Sequence, residues 1–302
     1  MGDTTKQEKR RNPVVAFCIR LFREKPLGTV CGIIVLAFFL CGIFPGFFAP
    51  YGYNELHTKD FLQPPSGQYL LGTDNMGRCL LSRIIWGAQI SMIVGVVASS
   101  LSLIVSCVIG LPSAYIGGKF DLVVQRFVDA WLAFPGVVIL IAAVTIVGPG
   151  LWQIVFLLSI QQGLGGARSV RGAVIGIREN MYLEAARSVG ASTGRVLLRH
   201  VLPNIAAPLI VLWTTRMPGL ILAEAGLSFL GLGIPPPRPS WGGMLSGAGL
   251  SYMVRAPWMA IWPGLALSIA VYGMNMFGDA LRDLLDPRLR GGLGRYGRGK
   301  RS

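Results

Sequence analysis

Between Leu27 and Pro50 the chain reads "LGTVCGIIVLAFFLCGIFPGFFAP", a run without one charged residue. Such a run constrains the fold more than any other feature. A helix crossing a bilayer needs roughly 20 mostly apolar residues in a row, and a soluble domain rarely carries so many. The pattern then repeats. "ISMIVGVVASSLSLIVSCVIGLPSAYIGG" covers Ile90 to Gly118. Further apolar stretches cover about residues 122–147, 151–164, 205–232 and 258–281, the second of these shortened by Gln161 and Gln162. Backbone groups in lipid must be satisfied internally, which favours helices. The expectation is an all-α membrane protein with six transmembrane helices. Gly95, Ala98, Ser99 and Ser102 are small enough to let helices approach closely in lipid.

Composition supports this class. Hydrophobic residues make up 52% of the 302 and charged residues 14%, against about 25% charged in soluble domains. A net charge of +14 would suit a nucleic-acid partner in a soluble chain. Beside membrane spans it reads instead as basic cytoplasmic flanks, so no nucleic acid is expected. The leader "KQEKRRNPVVAFCIRLFREKP" lacks the short apolar core and cleavage site of a signal peptide. Residues 1–26 are therefore read as a basic cytoplasmic segment ahead of an uncleaved first helix.

Orientation follows from lysine and arginine. With the N-terminus inside, the inner segments hold 22 of these residues and the outer loops hold 5, namely Lys59, Arg78, Arg83, Arg238 and Arg255. That bias predicts cytoplasmic termini and a cytoplasmic loop at 168–204, in a multi-pass protein of the cytoplasmic (inner) membrane.

The chain offers little for catalysis or metal binding. Its five cysteines, Cys18, Cys31, Cys41, Cys79 and Cys107, form no CxxC pair, and His57 and His200 have no ligand-like spacing. No metal site is expected. An intramembrane serine protease would need a base facing Ser159 or Ser268, and the spans hold no histidine for that. The glycines Gly226, Gly231 and Gly233 lead into Pro235, Pro236 and Pro237 rather than into a helix, so they form an outer turn. "GRYGRGKR" (Gly294–Arg301) has the spacing of a phosphate loop, but Arg301 stands where serine or threonine is required, and no helix follows. Residues 291–302 read as a disordered basic tail facing anionic headgroups.

The loop itself is unusual. "RENMYLEAARSVG" carries helix formers with apolar Met181, Leu183, Ala185 and Ala186, and Gly190 can end that helix. Ser192 or Thr193 caps a second short helix, and Pro203 begins the next span. Val196, Leu197 and Leu198, between Arg195 and Arg199, are expected to need cover from protein or headgroups.

This pattern resembles the EAA loop of ABC-transporter permeases: Glu184-Ala185-Ala186, then Gly190, then His200-Val201-Leu202-Pro203. More of the chain resembles one branch, the C-type permease of dipeptide and oligopeptide importers. The resembling segments are "LGTDNMGRCLLSRIIWGAQIS" (Leu71–Ser91), "LAFPGVVIL" (Leu132–Leu140), "AEAGLSFLGLGIPPPRPSWGGML" (Ala223–Leu245) and "GDALRDLLDPRLR" (Gly278–Arg290). The resemblance implies a type I ABC importer permease fold over residues 27–290, with a cytoplasmic coupling helix. It implies coupling to ATPases through Glu184, Ala185, Ala186, Gly190, Leu202 and Pro203. It also implies a homologous second permease, two cytosolic ATPases that bind ATP and Mg, and an external substrate-binding protein. The chain itself would be no enzyme and would hold no cofactor. Relatives of this pattern import peptides, and similar permeases serve nickel, glutathione, opines or oligosaccharides. A stand-alone channel or a structural subunit would leave the EAA loop without a purpose. Two positions depart from the branch: Cys79 replaces its usual aspartate and Gln89 its usual arginine, so an ionic pair there would be lost.

Charges inside spans are costly in lipid. Arg216 and Glu224 are expected to face an aqueous translocation path shared with the partner permease, and Asp129 to pair with Arg126 on its own helix.

Overall fold

The computed structural model describes residues 13–285, and no strand occurs among them. The expected basic tail, the phosphate-loop look-alike and the first 12 residues lie outside that range. Helix α1 (Pro13–Glu24) leads into α2 (Pro26–Ile43) and the short α3 (Pro45–Phe48). After an irregular segment come α4 (Leu80–Ile93), a π-helical turn (Val94–Ala98) and α5 (Ser99–Ile116). Then follow α6 (Gly118–Leu132), α7 (Gly136–Val147) and α8 (Leu151–Ile175). The next segment holds α9 (Met181–Ser188), α10 (Thr193–Val196), a second π-helical turn (Leu197–Val201) and α11 (Leu202–Asn204). Helix α12 (Ala206–Phe229), the short α13 (Trp241–Leu245) and α14 (Ala248–Ser251), and α15 (Trp258–Leu285) complete the chain.

Among the described residues, four helices are long and apolar enough to cross a membrane: Pro26–Ile43, Leu80–Ile116, Ala206–Phe229 and Trp258–Leu285. A fifth span results if α6 and α7 count as one. The run at 122–147, expected as a single helix, is instead broken and bent by 82°. Pro135 causes the break, because its ring excludes the preceding residue from helical geometry. The second span begins ten residues earlier than its apolar run, since Leu80 to Gln89 continue the helix despite Arg83. In the same way α8 runs on through Arg168 and Arg171 to Ile175. The first part of the expected 168–204 loop is therefore still helix.

Small residues decide the packing. Helices α5 and α8 lie so close that a β-carbon on Gly110 would come within 2.6 Å of the Ala167 carbonyl. One on Gly163 would press on Val105 to 2.5 Å. Ser106 donates to the Gly163 carbonyl at 2.8 Å, and Ser159 to that of Ala98 at 3.2 Å. Hydrocarbon tails solvate leucine as well as protein does, so close backbone approach and hydrogen bonds, rather than hydrophobic burial, join these helices. Gly95, Ala98, Ser99 and Ser102 are all buried at such crossings. A second crossing joins α2, α4, α12, α13 and α15 around Trp241, whose indole donates to the Ile84 carbonyl at 3.0 Å.

Candidate functional site

The EAA segment closes one end of the molecule. Leu183 of α9 is fully buried. It packs with Val196, Val201 and Ile205 against Leu111, Ala114, Val170 and Val174 of α5 and α8. The opposite face of α9 is open: Met181 and Val189 are each 84% exposed, and Glu184 and Ala185 are exposed between them. One face anchors the helix and the other presents it. Arg187 locks the anchor sideways. Its Nε donates to the Tyr115 hydroxyl at 2.8 Å, and its guanidinium carbon lies 4.5 Å from that ring's centre.

Gly190 makes the turn. Its φ is +78°, its N–H donates to Arg187 at 2.9 Å, and the Ala191 N–H donates to Ala186 at 3.1 Å. Nothing lies within 4 Å of where a β-carbon would be, so backbone conformation, not space, calls for glycine here. Ser192 occupies the N-cap position of α10 with no side-chain capping bond. Pro203 lies within α11, and the span proper starts at Ala206 after a break at Ile205. Leu202 is half-buried and Pro203 exposed. The cover expected for Val196 and Leu197 comes from the chain itself. Both are buried, because the segment folds onto the ends of α5 and α8, and of the three only Leu198 is exposed.

The opposite end is polar. Oδ1 of Asp74 accepts from the Met76 N–H at 2.8 Å and the Arg78 N–H at 3.0 Å. Its Oδ2 lies 2.7 Å from Arg78 Nε and 3.5 Å from Arg83 Nε. Gly77, at φ +73°, closes this turn under His57. Thr73 donates to the Asp60 carbonyl at 2.5 Å and accepts from the Gln63 N–H at 2.8 Å. The Tyr69 hydroxyl donates to Asp60 Oδ2 at 2.8 Å. Burial, and then the Asp60 carboxylate, push that phenol up to about 12. Cys79 precedes α4 and Gln89 sits ten residues on, about 15 Å along a helix. The two departures therefore do not mark a pair within this chain.

Arg216 enters the seam between α5 and α8. Its Nη1 donates to the Gln162 carbonyl at 2.6 Å, to Ser102 Oγ at 3.0 Å and to Ser106 Oγ at 3.4 Å. No carboxylate among the described residues meets it. Glu224 has 0% exposure and accepts from Ser228 Oγ at 2.7 Å. Within this chain Glu224 is fully enclosed. Asp129 contacts Arg168 of α8 as well as Arg126, the latter at 3.7 Å. Nearby, Asp121 takes Arg171 through two bonds of 2.7 and 2.6 Å. Pairing across helices explains how α8 carries two arginines that broke the apolar pattern.

Residues 102–291 match the model of the family described as binding-protein-dependent transport system inner membrane component. The chain belongs to that family. Residues 18–65 match a second model, the N-terminal TM domain of oligopeptide transport permease C. A dipeptide transport system permease of Alkalihalophilus pseudofirmus is 38% identical over 89% of this chain and 88% of its own. A glutathione transport system permease of Escherichia coli is 37% identical over 90% of each. A chain of the MetNI methionine ABC transporter, solved facing inward, shares the fold at a TM-score of 0.54 and 18% identity. It matches 67% of this chain and 96% of its own. The protein is thus a multi-pass inner-membrane permease subunit of a binding-protein-dependent ABC transporter, working with ATPase subunits and not itself an ATPase.

Proposed function

We propose that this permease forms half of the path by which di- or oligopeptides cross the cytoplasmic membrane inward. It would cross six times, with α6 and α7 making one broken span and α8 another, and with both termini inside. A homologous permease would supply the other half of the path, an external binding protein the substrate, and two cytosolic ATPases the work. The peptide class is supported by the identity to permeases named for dipeptide and glutathione transport.

One observation carries the coupling role: α9 is anchored on Leu183 and Arg187 while presenting Met181, Glu184, Ala185 and Val189 outward. An exposed apolar face beside a charge suits a socket on an ATPase better than water. The Gly190 turn and the segment held by buried Val196, Leu197 and Val201 then pass its displacement to α12. Arg216, pinned between α5, α8 and α12, would shift with that helix and place a fixed positive charge beside the path. Glu184→Lys and Gly190→Pro test the reading. Both variants should insert normally, lose transport, and recover less ATPase on purification. Unchanged transport and ATPase recovery in both would overturn it.

A further inference from the structure

We propose that the outer mouth of this subunit holds a carboxylate-binding subsite for the peptide in transit, formed by Arg238, the Trp86 indole N–H and the Gln89 amide. The proposal rests on the peptide reading above. A cavity of about 180 Å³ opens between the second half of α4, the start of α8 and the turn before α13. Tyr53, Trp86, Gln89 and Arg238 line its polar side, and Ile90, Ile93, Leu151 and Pro239 its apolar side. A larger cavity of about 420 Å³ adjoins it and shares Arg238.

The argument is a count of donors against acceptors. The Trp86 Nε1 atom is buried and finds no acceptor among the described residues. The side chains of half-buried Gln89 and exposed Arg238 make no hydrogen bond or ion pair with any described residue. The carboxylates at this end are engaged elsewhere. Asp74 is held by Arg78, Arg83 and two backbone N–H groups. Asp60 receives Tyr69, and Glu55 receives the Gly52 N–H. Glu224 is fully buried away from this cavity, with Oε1 on Ser228 and Oε2 without a partner among the described residues. A buried donor without an acceptor, as at Trp86 Nε1, is costly, and the guanidinium fork of the exposed Arg238 matches a planar carboxylate.

Other properties narrow the ligand. One free cation beside neutral donors suits a monoanion better than a doubly charged phosphate. The apolar wall suits an anion carried on an aliphatic body rather than a free hydrated ion. The volume falls below the roughly 300–1,000 Å³ of drug-sized sites, so it fits a chain terminus and its last side chain. A peptide leaving its binding protein presents such a terminus.

The test uses the assembled transporter in nanodiscs without its binding protein. The probes are radiolabelled N-acetyl-alanyl-alanine and its C-terminal amide, read by equilibrium binding. The carboxylate form should bind about tenfold tighter than the amide. Arg238→Gln should erase that preference, and Trp86→Phe should reduce it. Equal binding of both probes, or a preference surviving in Arg238→Gln, overturns the proposal. A second arm measures affinity for the empty binding protein. If Arg238→Gln weakens that affinity while probe binding is unchanged, the cation belongs to protein docking and the proposal fails. If the intact transporter moves no peptide yet prefers the carboxylate probe, the peptide reading fails and the carboxylate site stands.

Discussion

At the end opposite the EAA segment, one carboxylate organises the turn: Asp74 holds two arginines and two backbone N–H groups within a few residues of chain. At the EAA end the order comes from Leu183, Val196 and Val201, buried with no polar partner, and one lateral tether through Arg187. A polar network is directional, so it holds one shape and breaks when one member leaves. An apolar cluster is not directional and lets a small helix tilt while staying attached. The first suits a rim that must keep its form, and the second a joint that must move under load.

Asp74→Ala should show the largest effect. It would leave Arg78 and Arg83 nearly buried without their carboxylate, and breaking a buried pair from one side costs about 3–5 kcal/mol. Thermal unfolding of the purified protein should drop sharply, with the 51–79 segment becoming sensitive to protease. Asp74→Asn should fall between, since it keeps one acceptor for the backbone donors. If Asp74→Ala is as stable as the parent, the polar rim is not built on this residue and the contrast between the two ends collapses.

Arg216→Leu is expected next, and it probes what joins the two ends. The guanidinium fills the seam between α5 and α8 and satisfies the Gln162 carbonyl, which already lies within a helix. Removing it therefore strands no charge. We expect a loss of stability of about 1–2 kcal/mol from hydrogen bonds and packing. Transport should fall more steeply than assembly, measured as uptake per assembled complex in proteoliposomes. Normal uptake in a well-assembled Arg216→Leu complex would remove Arg216 from the path and leave it a packing residue.

The sequence revealed the joint better than the rim. Gly190 after an EAA helix is a local signal, and its positive φ follows from local rules. The broken span was also on the page, in the Pro135-Gly136 step, but hydropathy alone ran through it. The rim was hidden because Arg78 and Arg83 look like ordinary outer-loop cations. Only the fold shows that the turn through Gly77 brings Asp74 back onto both. Likewise, Arg168 and Arg171 look like loop residues until Asp129 and Asp121 arrive from α6. For Glu224, sequence gives its depth along α12 but not which face of the chain closes over it.

The smallest effect concerns the tether at the joint, where the comparison is sharpest. Tyr115→Phe removes the 2.8 Å hydrogen bond from Arg187 but keeps the ring beneath its guanidinium. The site is exposed, so the loss should be no more than about 1 kcal/mol. Arg187→Leu removes both contacts, adding about 0.5–1 kcal/mol for an exposed cation–π contact. Neither change touches the Leu183 anchor. If the joint is held by apolar burial, both variants should keep the ATPases bound. They should differ from the parent only in the ATP hydrolysed per substrate moved, Arg187→Leu more than Tyr115→Phe. If the joint is held as the rim is, Arg187→Leu should instead release the ATPases on purification. That outcome would place the coupling end in the same brittle class as Asp74 and remove the distinction drawn between the two.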